Sequence, residues 1–404
     1  MAEDDLIQIA DAKTSYIIKV IGVGGGGGNA VAQMYRDGIS NVSYLVANTD
    51  RKALEDNPVP EHLQIGPGLG AGGSPEKGRE LAETEVDKIA EVFDSDTQMV
   101  FITAGMGGGT GTGASPIFAR EARKRGILTI GIVTIPFLFE REVRIDKALD
   151  GLEMLQKEVD AMLVINNQRL CDIYSDLSVV NAFKRADETL STAVRSITEI
   201  IYMHGRITLD FEDVCTTLRN GGVAVMSSGY AEGDNRVTNA INQALNSPLL
   251  NNNDVFKATH ILLSITMNDD PKYVLRTEEL NEVTAFMEAF NPDVQTKWGL
   301  TVDKSLDKQI KITIVASGFG IYGPKSSTDG KIAEEEQIDP QVENRRKVFY
   351  TDYRSRQCIR RKPLFYLFSE DDLCNEEVLQ MVEDTPTLKR TNDMLEQLKR
   401  LSEN

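Results

Sequence analysis

The chain has 404 residues, enough for two domains with sizeable cores, and its 41% hydrophobic and 26% charged residues are typical of a globular protein. A formal net charge of −18 argues against sequence-independent nucleic-acid binding, because the protein would repel the phosphate backbone. The four cysteines lack CxxC or metal-ligand spacing, and no apolar run approaches membrane-spanning length, so a reduced cytoplasmic compartment and no direct membrane insertion are expected.

A first glycine loop follows the apolar run 16–23, which is predicted to be a strand, and precedes a helical pattern. The dinucleotide-binding pattern GxGxxG is matched by Gly22, Gly24 and Gly27. Asp50 ends the next predicted strand, about where a ribose-binding acid is expected. Taken alone, this unit indicates an NAD-dependent oxidoreductase, and that alternative stays open at this point.

A second glycine loop, residues 105–113, lies between an apolar strand and a helix with Pro116 in its expected first turn. Glycines let backbone N–H groups approach an anion, while a helix N-terminus adds a partial positive charge. A flexible hinge would need neither the interleaved threonines nor the flanking strand and helix. The loop is therefore predicted to bind phosphate.

Two glycine loops suit a mononucleotide with a long phosphate tail better than a dinucleotide, which uses one such turn for its pyrophosphate. The Walker motif GKS or GKT is absent, so no P-loop lysine neutralises the phosphates. Backbone amides, helix ends and a Mg²⁺ ion bound mainly through the nucleotide are expected to do so. The glycine-rich segment 66–76 fits a connector and a lid over the phosphates equally well.

Strands and helices alternate along the first half of the chain, and polar residues follow the strands at 127–134 and 161–165. This pattern predicts an α/β fold with a doubly wound, mostly parallel sheet and a ligand along the carboxyl edge of its strands. The predicted parts are a flexible N-terminal tail (1–15), a nucleotide-binding domain (16–180), a long central connecting helix (181–205), a smaller α+β domain (206–320), a disordered linker (321–380) and a partner-binding tail (381–404). For the basic patch that includes Arg345 and Arg346, a solvated linker is favoured over contact with a polyanion or membrane surface.

The loop at 107–113 resembles the signature loop of the tubulin/FtsZ superfamily of GTPases. Further motifs narrow the resemblance to the bacterial cell-division branch of that family; they lie at 18–29, 48–50, 68–72 and 137–140. The similarity runs from about Tyr16 to Gly320, and the motifs occur in the family's order. It implies an assembly-dependent GTPase that polymerises head to tail into filaments of the cytokinetic ring, in the cytoplasm at the division septum.

The resemblance also implies the residues of a GTP/GDP site. The glycine loops would contribute Gly25, Gly26, Gly27, Gly28, Asn29, Gly107, Gly108, Gly109, Thr110, Gly111, Thr112 and Gly113. Ribose and phosphate contacts would come from Thr134, Glu140 and Arg144, and base contacts from Asn167, Phe183 and Asp187. Phe183 would stack on the base, and Asp187 would accept from the N1 and N2 donors of guanine while repelling the N1 acceptor of adenine.

Two carboxylates, Asp210 and Asp213, lie three residues apart at the start of a predicted helix, and helix capping is their structural alternative. The resemblance implies that this loop reaches the nucleotide of the next subunit, where both carboxylates orient or deprotonate the attacking water and help to position the cation. The chain departs from the family at Thr208, where Asn is usual, and at Arg141, where Gly is common. Thr208 leaves room for a nucleotide-binding scaffold that does not hydrolyse GTP.

The segment 384–390 has a looser resemblance to the terminal peptide with which this family binds membrane-tethering proteins. The implied partner-binding residues are Asp384, Pro386, Leu388 and Arg390. The segment lacks the usual isoleucine before the proline and the usual aromatic residue after it. No side-chain metal site is predicted.

Overall fold

The computed structural model describes residues 16–173, 178–247, 255–319, 345–346 and 349–350. The strands are β1 (Ile18–Val23), β2 (Ser43–Asn48), β3 (His62–Gln64), β4 (Met99–Gly105), β5 (Leu128–Ile135), β6 (Ala161–Asn166), β7 (Gly205–Ile207), β8 (Gly222–Ala231), β9 (His260–Met267), β10 (Gln295–Val302) and β11 (Ile310–Phe319). The α-helices are α1 (Gly24–Arg36), α2 (Arg51–Glu55), α3 (Pro75–Thr84), α4 (Val86–Glu91), α5 (Thr110–Lys124), α6 (Glu142–Gln156), α7 (Asn167–Ile173), α8 (Val179–Tyr202), α9 (Phe211–Leu218), α10 (Arg236–Leu245) and α11 (Leu280–Glu288). Among these described residues, no helix combines the length and apolarity that crossing a bilayer requires.

The first six strands form a parallel sheet in the order β3-β2-β1-β4-β5-β6. From β1 the chain builds outward to β2 and β3 on one side and then returns to add β4, β5 and β6 on the other. The strand order therefore reverses between β1 and β4, and in doubly wound sheets ligands bind outside the carboxyl ends of the strands at this point. Both glycine loops start here, which confirms the predicted α/β architecture.

The remaining strands extend the same sheet in the order β8-β11-β9-β10-β7. Antiparallel pairs join β8 to β11, β11 to β9 and β10 to β7, whereas β9 and β10 are parallel. The two halves are linked through a short parallel pairing of Ala161 with Gly222 and of Met162 with Val223. Mixed pairing in this half agrees with the predicted α+β character.

The long helix α8 packs one apolar face against the core of the first half. Leu190, Val194 and Ile197 recur at helical spacing on this face and are almost completely buried. Burial of each such side chain contributes about 1.5–3 kcal/mol. The Ser178 hydroxyl caps the helix by accepting from the N–H of Asn181, and α8 ends at Tyr202, three residues before β7 begins.

The helix after the second glycine loop begins earlier than its sequence pattern suggests. Because α5 starts at Thr110, Pro116 lies in its interior, and the prediction of a first-turn proline is wrong. Gly111 lies inside the helix. A Cβ at this position would lie 2.8 Å from the carbonyl oxygen of Gly105, so the close approach of the two segments requires glycine. The Ser115 hydroxyl donates to the Gly111 carbonyl oxygen at 2.6 Å, a side-chain bond in the turn that the proline interrupts.

Candidate nucleotide-binding site

The two glycine loops border one cavity of about 300 Å³ at the carboxyl edge of β1, β4 and β5. Thirteen of the residues predicted to bind nucleotide line it: Gly25, Gly26, Asn29, Gly108, Gly109, Thr110, Gly111, Thr134, Glu140, Arg144, Asn167, Phe183 and Asp187. The lining also contains four residues that the sequence reasoning missed: Gly105, Met106, Pro136 and Ala186. Ala186 could have been found, because it lies one turn after Phe183 on the same helix face.

Five predicted residues do not line the cavity: Gly27, Gly28, Gly107, Thr112 and Gly113. Their surroundings show that they shape the loops. A Cβ on Gly27 would lie 2.2 Å from the carbonyl oxygen of Thr103, so only glycine lets α1 approach β4 so closely. The Thr112 hydroxyl accepts from the N–H of Gly107 at 2.9 Å and holds the second loop in place. Direct contact between these five residues and a nucleotide stays a prediction.

Both α1 and α5 begin at the cavity, and neither has a side-chain cap or an acidic residue in its first turn. The first four N–H groups of a helix have no partner within the helix, and the helix dipole favours an anion at this end. Thr49 and Thr110 hydroxyls, 2.6 Å apart, hydrogen bond beside the second loop. Two uncapped helix N-termini on one cavity are suited to a phosphate chain, and phosphate binding by these residues stays a prediction.

The other end of the cavity has polar groups that can bind a base. Asn167 is 5% exposed, and its Oδ1 atom is buried with no hydrogen-bond partner among the described residues. Burial raises the pKa of the Asp187 carboxyl to about 7, and the neighbouring charge of Glu188 adds to the effect. Phe183 makes an edge-to-face contact with Phe137, the ring centroids lying 4.9 Å apart. The buried Oδ1 acceptor of Asn167 and the carboxyl of Asp187 suit a ligand edge with several N–H donors.

The rim segment that follows β5 is held by Glu140. Its Oε1 atom accepts from the N–H of Phe137 at 2.8 Å, and its Oε2 atom pairs with Arg144 at 3.1 Å. Between these residues, Arg141 has φ 73° and ψ 160°, a conformation occupied almost only by glycine. The departure from the family's usual glycine therefore stores about 1–3 kcal/mol of backbone strain.

Asp210 and Asp213 do not line this cavity; they form a capping box at the start of α9. The Asp210 Oδ1 atom accepts from the N–H of Asp213 at 2.9 Å, and the Asp213 Oδ2 atom accepts from the N–H of Asp210 at 3.2 Å. Partial burial would raise the pKa of Asp213, but Lys297 at 3.0 Å and the backbone donor outweigh it, so that this pKa is lowered. The exposed Thr208 hydroxyl donates to the Gly205 carbonyl oxygen at 3.4 Å.

The remaining predicted features are placed as follows. Asp50 caps α2 by accepting from the N–H of Lys52 at 3.0 Å and does not line the cavity, which disfavours a dinucleotide reading. Within the described part of the chain, no three His, Cys, Asp or Glu residues come close enough together to hold a metal ion. The tail residues Asp384, Pro386, Leu388 and Arg390 lie outside the described residues.

The fold and cavity define a doubly wound nucleotide-binding protein in which backbone and helix ends take the place of a P-loop lysine. Its residues 17–175 match the family described as Tubulin/FtsZ family, GTPase domain, and residues 222–320 match the FtsZ family, C-terminal domain. A further FtsZ C-terminal family matches residues 360–404. The chain belongs to the FtsZ family, and the predictions of a tubulin-like cell-division GTPase and of a guanine-nucleotide site are confirmed.

Relatives and solved structures agree with this assignment. The chain is 44% identical to the cell division protein FtsZ of Porphyromonas gingivalis, over 98% of this chain and 90% of that one. It is 42% identical to FtsZ of Aquifex aeolicus, over 75% and 83% of the two chains. An FtsZ dimer from M. jannaschii aligns with a TM-score of 0.69 and 35% identity, covering 80% of this chain and 96% of that one. CetZ2 from Haloferax volcanii, described as a GTPγS-bound protofilament, shares the fold with a TM-score of 0.65 and 20% identity, covering 83% and 98%.

Proposed function

We propose that the protein binds GTP in this cavity, assembles head to tail into filaments, and hydrolyses GTP at the contact between two subunits. The observation that carries the proposal is the pair of uncapped helix N-termini on a cavity that is also lined by Asn167 and Asp187, whose oxygen atoms suit the N–H donors of guanine. The uncapped N–H groups of α1 and α5 hold the phosphates, and Asn167 and Asp187 address the base. In this role the protein acts in the cytoplasm at the division septum.

Mg²⁺ fits the cavity as a companion of the nucleotide. Of the described lining residues only Glu140 and Asp187 carry carboxylates, and Glu140 is already engaged by Arg144 and a backbone N–H. The threonine hydroxyls and backbone groups of the loops can orient a hydrated ion, but phosphate oxygens must supply most of its ligands. When bound, the ion would offset negative charge on the transferred phosphoryl group.

Completion of the site requires a free carboxylate, and Glu140, the carboxylate implied for the ribose and phosphate side, is already engaged by Arg144 and the N–H of Phe137. Asp210 and Asp213 are partly or fully exposed elsewhere on the chain, which is the arrangement expected of groups contributed to a neighbouring subunit. Because the pKa of Asp213 is lowered, its carboxylate is a weak base, and we infer that it orients the attacking water and the cation rather than removing a proton. Asp210 and Thr208 position the loop beside it.

A head-to-tail contact joins different surfaces of two identical subunits, so it repeats without closing and produces a filament. The M. jannaschii relative is described as a dimer, and a similar self-association of this chain is part of the proposal.

Membrane-tethering and regulatory division proteins bind the tail, with Leu388 as its apolar anchor. Leu388→Ala is expected to weaken a tether peptide's binding, and unchanged affinity would remove this residue from the interface.

The decisive experiment measures phosphate release from GTP and from ATP over a range of protein concentrations in Mg²⁺ buffer. We expect hydrolysis of GTP alone, with activity per molecule rising from near zero above a threshold concentration. Activity per molecule that does not change with concentration would place the catalytic groups within one subunit. Filaments without turnover would instead support the non-hydrolysing scaffold for which Thr208 leaves room.

A further inference from the structure

Four carboxylates are spaced four, four and three residues apart along α6 and therefore lie on one face of this helix: Glu142, Asp146, Asp150 and Glu153. We call this the acidic face of α6. Like charges four residues apart on a helix repel each other and destabilise it. A face of this kind needs compensation by positive charge.

The compensating positive charges come from Arg345 and Arg346, which follow β11 in the sequence. The Arg346 guanidinium, 6% exposed, donates to Asp146 at 2.7 Å and pairs with Glu142 at 3.4 Å. Arg345 donates to Asp150 at 2.7 Å. Planar guanidinium groups match carboxylates better than ammonium groups do, and the burial of Arg346 protects its pairs from screening by salt, whereas the Arg345 pair is more exposed. These two arginines belong to the predicted linker, yet they pair with carboxylates far away in the sequence, and Arg346 and Asp146 are 200 residues apart.

A third contact fixes where this segment attaches. The Asn166 side chain, at the carboxyl end of β6, donates to the carbonyl oxygen of Phe349 at 2.5 Å. Its neighbour Asn167 lines the nucleotide cavity. Phe319, the last residue of β11, pairs with Gly222 of β8, and Gly222 pairs with Ala161 at the amino end of β6. Phe319 therefore lies level with the end of β6 that is opposite Asn166. The chain thus leaves the sheet at one edge and is attached again at the nucleotide edge, about 16 Å away along the strand.

We propose that Arg345, Arg346 and Phe349 form a docking arm that binds the acidic face of α6 of the same chain and supports nucleotide binding. The acidic face begins at Glu142, two residues before the cavity residue Arg144. When the arm is docked, its positive charges offset carboxylates that would otherwise repel a polyanion at this edge.

Hydrogen exchange of the full chain, measured with GDP at low protein concentration, tests the docking. In the double variant Arg345→Glu/Arg346→Glu we expect at least about tenfold faster exchange in α6 and in the carboxyl half of β6. Combining it with Asp146→Arg/Asp150→Arg restores protection. The control Lys304→Glu changes an 80% exposed side chain paired with Asp269 and leaves both elements unchanged.

Unaltered exchange in the double variant would overturn the docking arm. Protection that increases with protein concentration would show that a second copy supplies the arm, which would overturn docking within one chain.

The double variant is also expected to bind GDP about threefold to tenfold more weakly, as partly screened charges near a surface would cause. Equal GDP affinity would refute the link to the nucleotide site. Neither measurement depends on GTP hydrolysis, so failure of the docking proposal is distinguishable from failure of the proposed GTPase mechanism.

Discussion

The pH dependence of nucleotide affinity reports directly on Asp187. Its carboxyl has a pKa of about 7 in the free protein because burial disfavours the charged form. In the proposed contact both carboxylate oxygens accept, one from N1 and one from N2 of guanine, so the ionised form is required and nucleotide binding releases a proton whenever the carboxyl is protonated. For a single group of pKa 7, the linkage relation makes the dissociation constant about tenfold larger at pH 6 than at pH 8.

The assay is titration of dilute protein with GDP, which avoids turnover and assembly. Phosphate also titrates near pH 6, so Asp187→Asn serves as the matched control with the same nucleotide and an amide in place of the carboxyl. We expect the wild-type ratio of dissociation constants between pH 6 and pH 8 to exceed that of Asp187→Asn by about tenfold. Equal ratios would refute an ionised Asp187 at the base.

The same shift predicts the effect of pH on folding. The pKa of Asp187 lies above its ordinary value of 3.8, so the folded protein holds this proton more tightly than the unfolded chain does. This contribution to stability is present below about pH 4 and is lost as the pH rises to about 7. Asp187→Asn is therefore expected to unfold at higher denaturant concentration than the wild type at pH 8, with a smaller difference at pH 5. A difference independent of pH would contradict the assignment.

Three further pairs of substitutions test strain, packing and chemistry separately. Arg141→Gly is expected to raise the free energy of unfolding by about 1 kcal/mol in chemical denaturation, because it removes the strain at φ 73°. The control Lys157→Gly, at φ −69°, is expected to lower the free energy of unfolding. A lower free energy of unfolding in both variants would refute strain at Arg141. Gly27→Ala is expected to lose about 1–3 kcal/mol of stability, while Gly25→Ala, whose Cβ meets nothing within 4 Å, folds normally and binds GDP less tightly. Asp213→Ala is expected to bind GTP and polymerise but to release phosphate about a hundredfold more slowly, whereas Glu212→Ala does not; wild-type turnover in Asp213→Ala would exclude the proposed role.

Local patterns predicted the sheet and the edge at which the cavity lies, whereas the ribose- and base-side residues of the cavity were implied only by the family resemblance. Buried parallel strands are continuous apolar runs, and a glycine loop between such a run and a helix fixes the direction of the following backbone. The sequence could not tell glycines that face a ligand from glycines that allow close packing, because both positions exclude a Cβ. Gly25 has open space above it and Gly27 has a carbonyl oxygen at 2.2 Å from the ideal Cβ position, a distinction that only the packed structure makes.

Long-range pairing was beyond the reach of these patterns. The charges of Arg345 and Arg346 predict a solvated segment when read with their neighbours, and only the fold shows that α6 presents a matching face. The carboxylates of Asp210 and Asp213 show a related limit. Their spacing suits capping and catalysis equally, and the structure shows that the capping box forms while leaving the catalytic role a prediction.

A protein of net charge −18 can bind a polyanion if the attraction is local and built from backbone. In the proposed site, two helix N-termini whose positions depend on glycine contacts bind the phosphates, and no lysine lines the cavity among the described residues. Backbone amides cannot move independently of the fold, so affinity for the phosphates depends on how closely α1 and α5 pack against β1 and β4. Substitutions at packing glycines such as Gly27 should therefore weaken nucleotide binding without touching the nucleotide, and stability and affinity should change together in that variant.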